Sequence, residues 1–214
     1  MGRKRKSRTR KARIVARATL PTRFGRFTIL GIAGPPKRRG AGRSASEEAV
    51  ALVRGRVNGG LPPLVRVHSQ CLTGDVLTSQ RCDCRAQLEF SLRRIGRARS
   101  GVLLYLPQEG RGIGLMNKLK AYEWQDHGMD TVEANHKLGF AADSRDYSFS
   151  AAALRLLGVR RVRLLSNNPD KVRQLEDGGI RVVERIPCRP RTSRLSKAYL
   201  RVKKDKLGHL LGRV

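Results

Sequence analysis

The sequence predicts a single α/β domain built around a partly parallel sheet. Short apolar runs such as "GVLLYLP" alternate with segments of helical periodicity such as "CRAQLEFSLRRIG". Near the C-terminus, "VRRVRLLS", "DKVRQLEDGG" and "IRVVERI" form a strand–helix–strand pattern, which implies parallel strands joined by a right-handed crossover. The chain has 214 residues and a hydrophobic content of 39%, which is enough for one substantial core.

The N-terminal half of the domain reads mainly as strands. "ATLPTRFGRFTILGIAG" alternates apolar and polar residues, which predicts a strand pair with a turn near Gly25. The segment "PPKRRGAGRSASEE" is rich in Pro, Gly and Ser and predicts a loop. "AVALVRGRV" and "PLVRVHS" are rich in β-branched residues, so both are predicted strands.

Predicted helices begin near residue 84. Leu88, Leu92 and Ile95 at helical spacing predict a helix that ends near Gly96. The glycine-rich "QEGRGIG" predicts a loop before the helix "LMNKLKAYEWQDHG", and "SFSAAALRLLG" predicts another helix. The pair "NP" at 168–169 predicts the capped start of the last helix.

Basic residues dominate the charge of the chain. There are 46 Lys and Arg against 17 Asp and Glu, which gives a formal net charge of +29. Such a field favours polyanions, anionic membranes or phosphorylated small molecules as partners. We predict a basic, disordered arm over residues 1–18, one folded domain over 19–190 and a basic extension over 191–214.

The N-terminal arm has no apolar face and could contact nucleic acid non-specifically through phosphates. A secretory signal would follow its charges with an apolar core, and this sequence has none there. No run approaches the roughly 18 apolar residues of a membrane span. We therefore predict a cytoplasmic protein without a membrane partner.

Three of the four cysteines lie within the fourteen residues of "CLTGDVLTSQRCDC". Cys71, Cys82 and Cys84 offer soft thiolate ligands, which zinc binds at about 2.3 Å. Structural zinc usually has four protein ligands, whereas catalytic zinc has three and an open position for water. The count favours a catalytic metal. His68 or Cys188 could instead complete a structural site, or the thiols could be buried without a metal.

Three polar stretches are candidates for a substrate site. The glycines of "QEGRGIG" would let backbone N–H groups approach an anion, although an ordinary turn has the same pattern. "FAADSRDYS" is charged at a predicted turn, where a solvated surface is the alternative. Ser166 and Lys171 lie at a strand-to-helix junction, where ligands bind in open α/β sheets and where a capped helix needs no ligand.

Together, the segments "RVHSQCLTGDVLTSQRCDCRAQLE", "YLPQEGRGIGLMNKLKAYEWQDHGMDTVEANHKLGFAADSRDY" and "VRLLSNNPDKVRQLEDGGIRVVER" resemble GTP cyclohydrolase II. The resemblance extends from Leu20 to Pro187 and returns weakly in "KLGHLL". It implies a three-layer α/β/α fold with a mixed sheet, in which residues 19–190 form the catalytic domain. It also implies a homodimer.

Members of this family open the imidazole ring of GTP and release formate and diphosphate. Their product is 2,5-diamino-6-(5-phospho-ribosylamino)pyrimidin-4(3H)-one, in the first committed step of riboflavin biosynthesis. The resemblance therefore implies GTP as the substrate, and one zinc per subunit together with magnesium as cofactors.

The resemblance also implies roles for single residues. The three clustered cysteines would hold the zinc, which would activate the water that attacks carbon 8 and later removes the formyl group. Arg145 would be the nucleophile at the α-phosphate, Asp143 its proton acceptor, and Tyr122 would orient water. Because the ordinary pKa of a guanidinium is above about 12, electrostatic stabilisation is the simpler role for Arg145.

The remaining implied residues share one role, which is contact with the nucleotide. They are Arg66, Val67, His68, Ser69, Gln70, Gln87, Glu109, Gly110, Arg111, Thr131, Ser166 and Lys171. Among them, the carboxylate of Glu109 could accept the N–H donors that distinguish guanine from adenine.

The chain departs from the family pattern at three positions. Gln70 replaces a usual Glu, Arg85 a usual Gly, and Ser166 a usual Thr. Arg85 would strain the turn if the backbone there needs a positive φ. Because no departure affects the predicted zinc ligands or catalytic residues, we expect an active enzyme.

Two other functions compete with this one. A relative that keeps the formyl group and serves a specialised pathway would share most motifs, although Tyr122 argues for the full reaction. A zinc-stabilised nucleic-acid-binding protein would explain the charge, but 5% aromatic residues offer few stacking platforms.

Overall fold

The computed structural model describes residues 12–38, 44–190 and 193–211. Within them, seven strands form one sheet: β1 Arg13–Thr22, β2 Gly25–Arg38, β3 Ser44–Arg54, β4 Leu64–Ser69, β5 Gly101–Leu106, β6 Arg161–Leu165 and β7 Arg181–Ile186. The helices are α1 Cys84–Arg97, α2 Leu115–Asp126, α3 Thr131–Lys137, α4 Ser148–Leu156, α5 Pro169–Asp177 and α6 Lys197–Asp205. Single helical turns occur at Leu72–Val76, Glu109–Gly112 and Arg194–Ser196.

The sheet is mixed, with strand order β1-β2-β3-β5-β4-β6-β7. Strands β1, β2, β3 and β5 pair antiparallel, whereas β5, β4, β6 and β7 pair parallel. The parallel half has helical connections, as the strand–helix–strand pattern predicts. Because the carboxyl ends of parallel strands meet at one edge, the segments that follow β4, β5 and β6 are brought together there.

Helices cover both faces of the sheet, so the fold has three layers. Successive residues of β5 point to opposite faces: Leu103 packs with Ile95 of α1, while Val102 and Leu104 join the core beneath α4 and α5. Leu154 of α4 is fully buried on that second side. The predicted three-layer α/β/α fold with a mixed sheet is therefore confirmed.

Three predicted boundaries differ from the structure. Arg13–Ala18, predicted as part of a disordered arm, belong to β1 and pair with β2, so that prediction is wrong for these residues. Backbone pairing at a sheet edge orders them although their side chains are exposed. The predicted loop "PPKRRGAGRSASEE" is likewise wrong at its flanks, because β2 extends to Arg38 and β3 starts at Ser44. Ala12 of the predicted arm precedes β1 outside any helix or strand, and residues 1–11 lie outside the described residues.

The predicted C-terminal extension also has regular structure, since it contains α6. Its Leu200 is buried, and α6 contacts α3. Among the described residues, no helix combines the length and the apolar character that a membrane span requires.

Candidate active site

The three clustered cysteines converge where β4 ends and α1 begins. Their sulfur atoms all lie within 4.8 Å of one another, and the Sγ atoms of Cys71 and Cys82 are 3.8 Å apart. Tetrahedral zinc with bonds of about 2.3 Å would separate two sulfurs by about 3.8 Å, so the spacing fits this ion. Among the described residues, no His, Asp or Glu side chain joins this group of potential metal ligands.

The two alternative fourth ligands are engaged elsewhere. The Nε2 atom of His68 lies 3.2 Å from both carboxylate oxygens of Asp75. The thiol of Cys188 is buried, and its Sγ atom lies 3.8 Å from the hydroxyl oxygen of Ser91. The arrangement therefore favours three protein ligands with an open position, which is the catalytic type.

Two neighbours shape the cysteine cluster. A Cβ atom at Gly74 would lie 2.9 Å from the sulfur of Cys82 and 3.1 Å from that of Cys71, so a larger residue there would crowd the ligands. The carboxylate of Asp75 accepts hydrogen bonds from the Cys71 backbone N–H, at 3.0 Å, and from the Tyr105 hydroxyl, at 2.9 Å. Such contacts orient metal ligands.

Lys118 of α2 contributes a buried positive charge to the cluster. Its Nζ donates to the sulfur of Cys71 at 3.2 Å, to the hydroxyl of Thr73 at 2.8 Å and to the Glu109 carboxylate at 2.6 Å. Hydrogen bonds from the other two thiols, together with this charge, lower the pKa of Cys71 below its ordinary value. The hydrogen bond to Cys71 raises the pKa of Cys82 to about 11. One negative charge is thus shared by the cluster, and a dication would displace the remaining protons.

The cluster opens into a cavity, the cysteine cavity, that also contains Tyr122 and Arg145. The Tyr122 hydroxyl lies 3.1 Å from the hydroxyl of Thr73, and burial raises its pKa. Six of the predicted nucleotide contacts line the same cavity: Ser69, Gln70, Glu109, Gly110, Arg111 and Thr131.

The glycine-rich loop forms one wall of the cysteine cavity. Both carboxylate oxygens of Glu109 are engaged, one by Lys118 and the other by the Leu72 N–H at 2.6 Å. Arg111 has a φ of 60°, in the left-handed region, and its carbonyl accepts from the Ser144 N–H at 3.1 Å. The terminal nitrogens of Arg111 are buried and have no hydrogen-bond partner among the described residues, which suits an anionic ligand.

Asp143 and Arg145 form a fork-shaped ion pair on the loop before α4. Arg145 donates through Nε to one oxygen of Asp143 at 2.8 Å and through a terminal nitrogen to the other oxygen. Burial disfavours both charges, but the pair lowers the pKa of Asp143 and, with Tyr147, raises that of Arg145. The fork therefore holds a charged guanidinium in a fixed orientation.

A second cavity adjoins the first, and we call it the cationic cavity. Six basic side chains line it: Arg66, His68, Arg145, Lys171, Lys203 and His209. The predicted nucleotide contacts Gln87 and Ser166 line it as well. Burial, followed by the charges of Arg66 and Arg145, lowers the pKa of Lys171 well below its ordinary value. Such a concentration of buried cations fits a polyanion such as a phosphate chain.

Strand β4 supplies much of this second site. The guanidinium of Arg66 donates to the Gln87 side chain at 2.5 Å and to the Leu165 carbonyl at 3.1 Å. The side chain of Val67 is buried in the core, whereas its carbonyl accepts from the Lys171 Nζ at 2.8 Å. Any contact of Val67 with a ligand would therefore involve its backbone.

Comparison with known proteins agrees with this geometry. The family model for GTP cyclohydrolase II matches residues 12–187. The chain belongs to the GTP cyclohydrolase II family. It is therefore classed with hydrolytic enzymes.

Named relatives of the family extend along most of the chain. The GTP cyclohydrolase-2 of Buchnera aphidicola subsp. Acyrthosiphon pisum is 49% identical over 198 residues, which cover 92% of this chain and 98% of that protein. The GTP cyclohydrolase-2 of Pseudomonas putida is 52% identical over 198 residues, covering 92% and 93%. The riboflavin biosynthesis protein RibBA of Bacillus cereus is 51% identical over 196 residues, covering 92% of this chain and 47% of that protein.

Sequence reasoning missed several residues of this GTP cyclohydrolase II site. Lys118 lies four residues before Tyr122 and thus on the same helix face, which is a signal that could have found it. Asp75 stands in the cysteine stretch itself. Tyr199, Lys203 and His209 come from the predicted C-terminal extension, where the only signal was the weak family match of "KLGHLL".

The departure at Arg85 leaves the turn unstrained. Arg85 lies in the first turn of α1 and is not among the residues with positive φ. Its side chain donates to Glu89 at 3.0 Å and to the Asp75 carbonyl at 3.4 Å. The strain expected for a positive φ therefore does not arise, and the added charge is directed toward Glu89.

Proposed function

We propose that this protein is a zinc-dependent GTP cyclohydrolase II that converts GTP to 2,5-diamino-6-(5-phospho-ribosylamino)pyrimidin-4(3H)-one, formate and diphosphate. The observation that carries the proposal is that one cavity is lined both by the three-cysteine cluster and by Arg145, whose guanidinium Asp143 holds in the fork. Ring opening and diphosphate release need two reactive centres on one nucleotide, and this cavity offers both within reach.

The donor set suits one zinc ion per subunit. Zinc held by Cys71, Cys82 and Cys84 would supply an activated water at neutral pH. Tyr122 lines the cysteine cavity together with the three cysteines. Its hydroxyl is protonated at neutral pH and can orient water or donate a hydrogen bond. Lys118 lies close enough to stabilise negative charge that develops beside the cluster.

The Asp143–Arg145 fork acts at the α-phosphate. The guanidinium presents charge to the phosphoryl group, and Asp143 holds its orientation. In nucleophilic attack, a guanidinium nitrogen of Arg145 would form a bond to the α-phosphorus as the bond to the leaving diphosphate breaks. Asp143 would accept the released proton, and water would later hydrolyse the P–N bond. Arg66 and Lys171 would bind the remaining phosphates together with magnesium, since both are buried basic groups and the charge of a phosphate would favour the protonated form of Lys171.

Guanine would occupy the cysteine cavity beside the glycine-rich loop. Glu109 already accepts from Lys118 and Leu72, so it would contact the base through its remaining lone pairs. Gln70 and Thr131 would add polar contacts from the facing walls. We further propose that the protein is a cytoplasmic homodimer and that it acts in riboflavin biosynthesis. Sedimentation equilibrium would measure whether it is a dimer.

The test is a product balance. Purified protein with its zinc counted is incubated with GTP and magnesium, while formate, diphosphate and the pyrimidine are followed together. Equal amounts of all three support the proposal. Diphosphate without formate indicates a working phosphate site beside an impaired cysteine site. A pyrimidine product whose mass includes the formyl group indicates the relative that retains it. No turnover with zinc bound contradicts a GTP cyclohydrolase II activity.

A further inference from the structure

The C-terminal segment Ser193–Leu211 is fixed against the active site at three points. The Nζ atom of Lys203 donates to Asp83, between two of the cluster cysteines, at 2.8 Å, and both side chains are buried. The Leu210 N–H donates to the Asn167 carbonyl at 2.8 Å. Lys206 pairs with Glu133 of α3 at 2.9 Å. These contacts attach the segment to the cysteine loop, to the β6–α5 junction and to α3.

The segment turns polar side chains toward the cavities. Tyr199 lines both the cysteine cavity and the cationic cavity, at the boundary between them. The Nζ of Lys203 lies 4.9 Å from the centre of its ring. His209 lines the cationic cavity, and its backbone N–H donates to the Lys203 carbonyl at 2.9 Å, which fixes its position.

The charges around His209 are not balanced by the protein. Of the Lys and Arg side chains that line the cationic cavity with His209, two are paired, Lys203 with Asp83 and Arg145 with Asp143. In the part of the chain that the structure describes, Lys171 and Arg66 bind only neutral oxygens, and the Nε of Arg66 has no hydrogen-bond partner. Buried cations in this state indicate that a ligand supplies the missing negative charge.

His209 is placed to donate a hydrogen bond to that ligand. Burial, and then the charges of Lys203 and Arg111, lower the pKa of His209 to about 3, so its imidazole is neutral beside these cations. A neutral imidazole still has one N–H donor. A phosphate group would accept from this donor and would also neutralise the surrounding cations.

We propose that Ser193–Leu211 forms part of the substrate site and that His209 binds a phosphate oxygen of the nucleotide. Tyr199 lies between the cysteine cavity, which would hold the base, and the cationic cavity, which would hold the phosphates. This inference rests on the proposed function, because it takes the phosphate chain of GTP as the occupant of the cationic cavity. It adds two substrate-contacting residues from a segment beyond the family match at residues 12–187.

The test compares two histidine variants, His209→Ala and the matched control His136→Ala. His136 is exposed on α3 and lines neither cavity. Calorimetry measures the Kd of inorganic triphosphate and of guanosine, and steady-state kinetics measure KM and kcat for GTP. We expect His209→Ala to weaken triphosphate binding about tenfold, the loss of one hydrogen bond to a charged group, and to raise KM more than it lowers kcat.

Guanosine binding should stay unchanged in His209→Ala, and His136→Ala should behave as wild type. His209→Gln, which keeps an N–H donor, should recover most of the affinity for triphosphate and covers the case in which the alanine variant unfolds. Equal triphosphate Kd values for His209→Ala and His136→Ala would overturn the inference. So would an equal loss of guanosine and triphosphate binding, because that pattern indicates a general distortion.

The outcome separates this inference from the proposed function. If wild type releases all three products in equal amounts while His209→Ala binds triphosphate normally, the function stands and the segment's role is wrong. If His209→Ala loses triphosphate binding but wild type releases no formate, the segment's role stands and the cyclohydrolase function is wrong.

Discussion

The cysteine cavity and the cationic cavity adjoin each other, yet they are assembled in different ways. The three sulfur atoms of the first come from fourteen consecutive residues, Cys71 to Cys84. The basic groups of the second come from β4, the loop before α4, α5, α6 and the segment after α6. A local stretch can therefore build a metal site, whereas an anion site of this size depends on the topology of the whole sheet.

The two cavities also differ in their balance of charge. Beside the cysteines, Lys118 is paired with Glu109 and with the thiolate of Cys71. In the cationic cavity, Arg66 and Lys171 contact neutral oxygens in the described residues. The cysteine cluster is prepared for a cation that replaces protons, whereas the cationic cavity is prepared for an anion that supplies missing charge. Chemistry and binding should therefore respond separately to substitution.

The largest effect is expected from Cys82→Ser. Loss of one of three thiolates should remove stoichiometric zinc and reduce formate release by about a thousandfold or more, the scale of a transition-state charge stabiliser. Atomic absorption measures zinc, and an enzyme-coupled assay measures formate. Cys188→Ser is the matched control, because Cys188 lies outside the cluster and should retain zinc. Full zinc content in Cys82→Ser would contradict the assignment of the cluster.

Asp143→Asn should have the next largest effect, and this effect should be on diphosphate release rather than on formate release. An amide cannot hold the guanidinium of Arg145 in the same charged fork, so diphosphate release should fall about a hundredfold. Zinc content should not change, since Asp143 does not contact the cysteines. Asp170→Asn, in an exposed pair with Arg173, is the control. If Asp143→Asn lost zinc instead, the two cavities would not be independent.

This difference in assembly explains what could be predicted from the sequence. The cysteine ligands were predictable because they are close in sequence, so a single turn of the chain is enough to bring their sulfur atoms together. The Lys203–Asp83 ion pair was not, since 120 residues separate its members and only the folded chain brings them together. Sequence reasoning about the C-terminal residues therefore predicted only a basic extension.

Two local elements were missed for other reasons. Helix α3 has only seven residues and no apolar period, although the capping box of Asp130 and Glu133 was present as a signal. The first half of β1 mixes Arg with apolar residues and stays exposed, and its pairing with β2 stabilises it through the backbone. Periodicity detects burial, so it missed elements whose order comes from caps or edge pairing.

Lys203→Met tests whether the C-terminal segment joins the two cavities. The side chains of Lys203 and Asp83 are 9% and 2% exposed, so removing the lysine leaves a buried carboxylate without its partner. We expect the free energy of unfolding to fall by about 3 kcal/mol. Urea unfolding of the zinc-loaded protein measures the change.

Two variants make this prediction specific. Lys204→Met changes the exposed neighbour on the same helix and should alter the free energy of unfolding by less than about 0.5 kcal/mol. Adding Asp83→Asn to Lys203→Met should recover part of the loss, because the unpaired charge is removed. Equal stability of Lys203→Met and Lys204→Met would show that α6 does not form this pair in solution.

The smallest effect on turnover is expected from deleting residues 1–11. Seven of these residues are Lys or Arg, and the deletion ends before β1 begins at Arg13. The basic side chains of residues 1–11 should support non-specific contact with phosphate backbones, so their deletion should weaken the binding of a fluorescent RNA oligonucleotide and flatten its salt dependence. GTP turnover should stay within about twofold, because the charges that bind the substrate's phosphates lie inside the cationic cavity. Loss of turnover together with RNA binding would instead mean that the external charge also brings GTP to the site.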